Sequence, residues 1–147
     1  MTTPSTLRTI DKDAFAGCPR LSEVKLNDGL TSIGKSAFLN CHVLKSVTIP
    51  DSVTSIGSLA FAGCGELESI VLPNSLTSID EDMFTNCSKL TSVTMSDSIE
   101  AIKPHAFDGC RKLTSVVVPQ SVKSIGDRAF SYCPELTSVR LPTSISR

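Results

Sequence analysis

Apolar residues along this chain recur in a spacing that repeats every 23 positions without an insertion. Aligned on that period, each unit reads L-x-x-(V/I)-x-(L/I/V/M)-(P/N/S)-x-x-(L/V/I)-x-x-I-x-x-x-(A/M)-F-x-x-C-x-x, with about eight apolar positions in every copy. Leu67–Lys89, LESIVLPNSLTSIDEDMFTNCSK, shows one unit complete. Its apolar positions are too spread for one strand and too irregular for one long helix. The pentapeptide AFAGC stands at Ala14–Cys18 and again at Ala60–Cys64, with AFLNC at Ala37, MFTNC at Met83, AFDGC at Ala106 and AFSYC at Ala129 on the same lattice. All six phenylalanines and all six cysteines fall in these segments. A fixed period of this length marks a repeat architecture, in which each unit is one turn of a stack.

Within the unit, SVTIP (Ser46–Pro50) and SVVVP (Ser115–Pro119) are β-branched and alternate, which predicts a strand with Val47 and Ile49 inward and Ser46 and Thr48 outward. The proline lacks an N–H and ends the ladder. A second short extended piece follows, as in LTSIG (Leu30–Gly34) and VTSIG (Val53–Gly57), and the AF segment then crosses the far side as a turn or a few helical residues. No segment is long enough for a stable isolated helix. The residue before each cysteine is Gly17, Asn40, Gly63, Asn86 and Gly109, which predicts a left-handed turn there; the sixth copy has Tyr132, the only tyrosine. One unit cannot bury its apolar set alone, but stacked units cover one another. Stacking predicts a phenylalanine column, a cysteine column and a continuous parallel sheet.

The consensus L-x-x-V-x-I-P-x-S-V-x-S-I-G-x-x-A-F-x-x-C resembles the BspA-like (treponemal) class of leucine-rich repeats, and LKSVTIPDSVTSIGSLAFAGC, Leu44–Cys64, is close to that class's ideal. The resemblance runs from about Pro4 to Ile145 and departs at SIDEDMF and AIKPHAF, where Asp80 and Lys103 replace the usual glycine. It implies an α/β-type repeat solenoid: a right-handed leucine-rich-repeat superhelix of about six coils, mostly strand and turn with little helix, its parallel sheet on the concave face. Members of the class are often surface or secreted proteins that bind host or matrix proteins, or modules of larger chains. They share no catalytic residues, so the resemblance implies no enzyme activity.

Charge and composition narrow the partners. The 147 residues carry a net charge of −1, which argues against a nucleic acid backbone as partner. No run of 18 apolar residues predicts a transmembrane helix, so membrane insertion is not expected. The start, MTTPSTLRTIDKDAF, has no apolar core of the length a secretory signal needs. The expectation is therefore either a cytoplasmic protein or a piece of a longer, surface or secreted one. Each cysteine sits at the same phase of its coil, which predicts a ladder of buried free thiols acting as small hydrophobes rather than disulfides. Zinc needs clustered Cys and His, and His42 and His105 fall at different phases, so no metal or cofactor is expected.

Candidate chemistry is sparse. The acidic cluster Asp80, Glu81 and Asp82 could hold a metal or work as acid and base, but Ser58 and Pro104 are the neighbours that adjacent coils offer Glu81, and a solvated turn accounts for it better. Asp11, Lys12 and Asp13 read the same way. Neither histidine shares a phase with a nucleophile, and no P-loop or dinucleotide fingerprint occurs. Asn86-Cys87-Ser88 fits a glycosylation sequon by chance, beside a core cysteine.

The outward strand positions form two columns: Glu23, Ser46, Ser69, Ser92, Ser115, Ser138, and Lys25, Thr48, Val71, Thr94, Val117, Arg140. One reading is a sheet surface built of good strand formers. The other is a face that contacts a partner protein through Lys25, Ser46, Thr48, Ser69, Val71, Ser92, Thr94, Ser115, Val117 and Arg140, with the two valines at its centre. The Ser/Thr rows also suit an ice-binding solenoid, but valines interrupt them and curvature spoils a match to a flat lattice. Neither end shows a polar cap, so residues 1–147 are expected to form a single domain that is part of a longer array or pairs end to end with another copy through Phe130, Leu141 and Ile145. The function that follows is a non-catalytic, adhesin-like protein-interaction module. The alternative is an intracellular structural or scaffolding repeat.

Overall fold

The structure is a computed structural model, and it describes residues 1–143. It is a parallel β-solenoid with one coil per 23-residue unit, and the described residues contain no helix. The turn alternative therefore holds for the AF segment, and the helical part of an α/β-type fold is absent among the described residues. In chain order the strands are β1 (Thr9–Ile10), β2 (Glu23–Lys25), β3 (Ser32–Ile33), β4 (Ser46–Thr48), β5 (Ser55–Ile56), β6 (Ser69–Val71), β7 (Ser78–Ile79), β8 (Ser92–Thr94), β9 (Ala101–Ile102), β10 (Ser115–Val117), β11 (Ser124–Ile125) and β12 (Ser138–Arg140). The three-residue strands line one side of the coil and the two-residue strands the next. Each strand that pairs does so in parallel with its equivalent one coil away, Ser46 against Glu23 and Ile33 against Ile10.

The third side carries the AF segments, and its hydrogen bonding alternates residue by residue. Ser36, Phe38 and Asn40 donate their N–H groups to Ser58, Ala60 and Ala62 in the next coil at 2.8–2.9 Å, while Ala37, Leu39 and Cys41 close back three residues to Gly34, Ser36 and Phe38. This needs left-handed backbone at two places per coil. One is the column seen in the sequence: Gly17, Asn40, Gly63, Asn86 and Gly109 all have positive φ, and Tyr132 joins them at 54° rather than relaxing. The other column is Asp13, Ser36, Leu59, Asp82, His105 and Arg128, with φ between 56° and 61°. Residue type gave no sign of it. A non-glycine residue held there costs about 1–3 kcal/mol. The ladder fixes it from both sides: Leu59 N–H reaches Glu81 O at 3.1 Å, and Leu59 O accepts from Ala62 N–H at 3.2 Å.

Glycine and asparagine alternate in the first column for a steric reason. A Cβ on Gly63 would lie 2.1 Å from Asn40 Oδ1, and one on Gly109 2.5 Å from Asn86 Oδ1. Each asparagine side chain thus occupies the space above the following glycine, so the stack is built of coils in pairs.

The core is the predicted one. Phe38, Phe61, Phe84 and Phe107 are fully buried, and the six rings form one parallel column with centroids 5.3–5.8 Å apart. Val24, Val47, Ile70 and Val116 point inward from the long strands, as alternation requires, and Val47 is 8 % exposed; Ile49 is only half-buried.

The continuous sheet is a correction. On the long-strand side the ladder is closed in three pairs, β2–β4, β6–β8 and β10–β12. On the short-strand side it runs β1–β3–β5 and β7–β9–β11, with no pairing between β5 and β7. That break falls where Asp80 follows Gly34 and Gly57 in their column. Cβ atoms on Gly34, Gly57 and Gly126 would sit 2.4–2.7 Å from a backbone nitrogen of the preceding coil, so this column lies directly on its neighbour. Asp80 stands at the same phase one coil beyond Gly57, and between those coils the Phe61–Phe84 spacing widens to 5.8 Å. The next coil follows without a break: Lys103 stacks on Asp80 at 3.1 Å and β9 pairs with β7. The fold itself is unaffected.

Candidate functional site

Backbone alternation sets one regular exposed face. In β2, β4, β6 and β10 the middle residue is buried and its two neighbours are exposed, so each strand offers two side chains to solvent. Register aligns them. Lys25 lies against Thr48, Val71 against Thr94, and Val117 against Arg140, and the serines pair as Ser69 with Ser92 and Ser115 with Ser138. The structure therefore gathers all ten residues singled out in the sequence on one exposed face: Lys25, Ser46, Thr48, Ser69, Val71, Ser92, Thr94, Ser115, Val117 and Arg140. Val71 is 64 % exposed and Val117 63 %. Thr48 and Thr94 alternate with them, so this column follows the same two-coil rhythm as the glycine and asparagine turns.

Between its ends the outward strand positions of the face carry Ser and Thr side chains and the two valines, none of them charged. Its charges stand at the ends, Glu23 and Lys25 on one side and Arg140 on the other, with Lys45 and Glu68 exposed just before β4 and β6. No protein element lies over it among the described residues.

Elsewhere, polar side chains tie coils together. Thr85 Oγ1 donates to His105 O at 2.8 Å and lies 2.9 Å from Asp82 Oδ1, while His105 Nδ1 is 3.1 Å from Asp108 Oδ2. Ser75, Ser98 and Ser121 donate to carbonyls of the preceding coil. Lys89–Glu66 and Lys112–Glu135 are exposed ion pairs across coils. Among the described residues no three His, Cys, Asp or Glu side chains come together as a metal site, and no helix is long and apolar enough to cross a membrane.

The cysteines do more than fill space. All six are free, and Cys41, Cys64, Cys87 and Cys110 are buried. The Cys41, Cys64, Cys87, Cys110 and Cys133 thiols donate to the carbonyls of Phe15, Phe38, Phe61, Phe84 and Phe107 at 3.1–3.3 Å. Each of those carbonyls also accepts the N–H of the cysteine in its own coil. The thiol thus links adjacent coils, a role that the sequence's reading of a small hydrophobe missed. Desolvation, reinforced by Cys41, pushes the Cys64 thiol up to about 12, and burial raises Cys87 and Cys110 as well. These thiols are poor nucleophiles.

At the last described coils a groove of about 420 Å³ is lined by Arg111, Phe130, Tyr132, Cys133 and Pro134. Of the residues expected to drive end-to-end pairing, Phe130 is half-buried and Leu141 is 38 % exposed, while Ile145 lies outside the described residues.

A family model for the BspA type leucine rich repeat region matches six copies, over residues 1–111 and 78–147. Among solved structures the chain is similar to the T. pallidum leucine rich repeat protein TpLRR, at 34 % identity and a TM-score of 0.94 over 97 % of this chain and 70 % of that one. A leucine rich cell surface protein from Faecalibacterium prausnitzii is 31 % identical over 94 % of this chain and 46 % of its own, with a TM-score of 0.68. A leucine-rich repeat protein from Bacteroides ovatus is 30 % identical over 99 % of this chain and 46 % of its own, with a TM-score of 0.73. No curated protein sequence matches.

Proposed function

The chain belongs to the BspA-type leucine-rich repeat family, and from that premise we propose that it is a non-catalytic, adhesin-like module that binds a partner protein on its long-strand face. Repeat proteins of this kind are in general protein-interaction modules, because the stack displays equivalent side chains from every coil on a long regular surface. The observation that carries the reading is the pair Val71 and Val117, 64 % and 63 % exposed at the middle of a face that no element among the described residues covers. Isolated apolar residues on a surface are ordinary. Here two of them recur at one phase, on a face whose flanking residues are short and leave both valines open to a partner. The likeness to a leucine rich cell surface protein from F. prausnitzii supports a cell-surface placement.

The test is a titration of a partner captured from host surface proteins. Val71→Lys with Val117→Lys removes the apolar centre and leaves the inward residues alone. Binding should weaken by about 2 kcal/mol or more if these are the central contacts, with an unchanged circular dichroism spectrum. The control is Asp82→Asn with Arg128→Asn on the opposite side; asparagine is chosen because both positions have φ of 56°. Unchanged affinity in the valine variant, with loss in the control, moves the site to the AF side and refutes the reading.

A further inference from the structure

We infer that the occupant of the long-strand face is an amphipathic α-helix lying along the stacking axis, across the strands. This rests on the binding role proposed for the face and names what it binds. The argument is one of spacing. Val71 and Val117 stand two coils apart at one phase, with β8 between them; the rings of the same three coils step by 5.4 and 5.3 Å, which with a strand spacing of about 4.8 Å puts the valines about 10 Å apart. Residues seven apart on a helix lie on the same side and about 10.5 Å apart. One such pair therefore meets both valines, and the residue three or four places along passes over Thr94 between them. An extended chain laid in the same direction presents same-side residues at about 6.7 and 13 Å, and meets at most one valine.

The surroundings fit the same occupant. Ser46, Ser69, Ser92 and Ser115 run beside the valine column as a row of short side chains, all exposed. Their short side chains leave room for a helix about 10 Å across to rest against both columns. The column is bounded by cations. Lys25 stands two layers before Val71 and Arg140 one layer after Val117. A complementary helix carries an acidic residue about seven positions before its first apolar residue and another about three positions after its second. Glu23 faces the same way as Lys25 from two residues back, so the first acid has to approach Lys25 from the side away from Glu23.

The test uses a synthetic, alanine-rich helical peptide with two leucines about seven residues apart and the two glutamates placed as above. Its isomer has the second leucine moved by two positions, which turns it to the far side of the helix. Expected results are saturable binding by fluorescence anisotropy, at least tenfold tighter than for the isomer, with amide shift changes along β4, β6, β8 and β10. Val71→Thr with Val117→Thr, which copies Thr48 and Thr94, should weaken binding at least tenfold without a change in melting temperature. Lys25→Glu with Arg140→Glu should weaken it too, and a peptide with lysines for the glutamates should restore it. Equal binding of the two isomers, or no binding of either, overturns the inference. Failure here is distinguishable from failure of the binding role itself. A captured protein that depends on Val71 and Val117 but docks through a loop or strand overturns the helix and leaves the face standing. One that ignores both valines removes the face as well.

Discussion

Truncating Phe61 to alanine opens a hole in the middle of the ring column. Its side chain is fully buried, and its ring lies 5.4 Å from Phe38 and 5.8 Å from Phe84. The coil before it is tied to the Phe61 coil on three sides, by β2–β4, β3–β5 and the AF segments, and the coil after it by the AF segments, so the space closes only in part and the loss should reach about 3–5 kcal/mol, the usual range for a buried phenylalanine. Phe15 is the comparison. It is half-buried and has one ring neighbour, Phe38 at 5.4 Å. Losing about half the transfer free energy and one stacked pair should cost about 2 kcal/mol. The two variants are compared by urea denaturation followed by far-ultraviolet circular dichroism, with the slope of the transition checked against the parent because repeat arrays lose cooperativity when a central coil is weakened. Equal losses for Phe61→Ala and Phe15→Ala would mean that the ring column adds nothing beyond local burial, and the stacking account would fall.

Thiol titration of the native protein should label Cys18 and Cys133, which are half-exposed, well before the four buried cysteines, and denaturation without reductant should release all six. The raised thiol of Cys64 also sets a pH effect: its contribution is intact below pH 9, where the unfolded thiol is protonated too, and falls by about 1.4 kcal/mol per pH unit as pH rises toward 12. Melting temperatures across that range check the sign. Tyr132→Asn keeps the left-handed turn with a residue suited to it and should raise stability by about 0.5–1 kcal/mol, since the tyrosine is 81 % exposed and loses little packing. Gly63→Ala should cost more than about 1 kcal/mol, and Asn40→Gly in the same chain should return part of it by removing the contact at 2.1 Å; a double-mutant cycle measures the coupling. Hydrogen exchange should be fast at Thr77 and Asp80 compared with Thr54 and Gly57, because the equivalents reach Thr31 and Ile33 at 2.9 Å whereas β7 does not pair with β5.

Much of this molecule was legible in its sequence because every coil repeats the same local problem. The period gave the number and length of the coils, the alternation in SVTIP gave which side chains face out, and the Gly/Asn column gave one left-handed turn. Those signals act within a coil, through steric limits on single residues and the apolar pattern of single segments. What the tertiary structure decided acts between coils. The second left-handed column, from Asp13 to Arg128, has no residue signature because the cross-coil ladder, not the side chain, holds Leu59 and His105 in that conformation. The thiols became donors only once the phenylalanine carbonyl of the previous coil lay within reach. The ladders divided into pairs on the long-strand side and into threes on the short-strand side, a division set between coils, where Asn40 fills the space over Gly63 and Asp80 follows Gly57 in its column. A residue's own identity sets which conformations it tolerates, but its neighbour at the same phase, 23 residues away in the chain and one layer away in space, sets which one it takes.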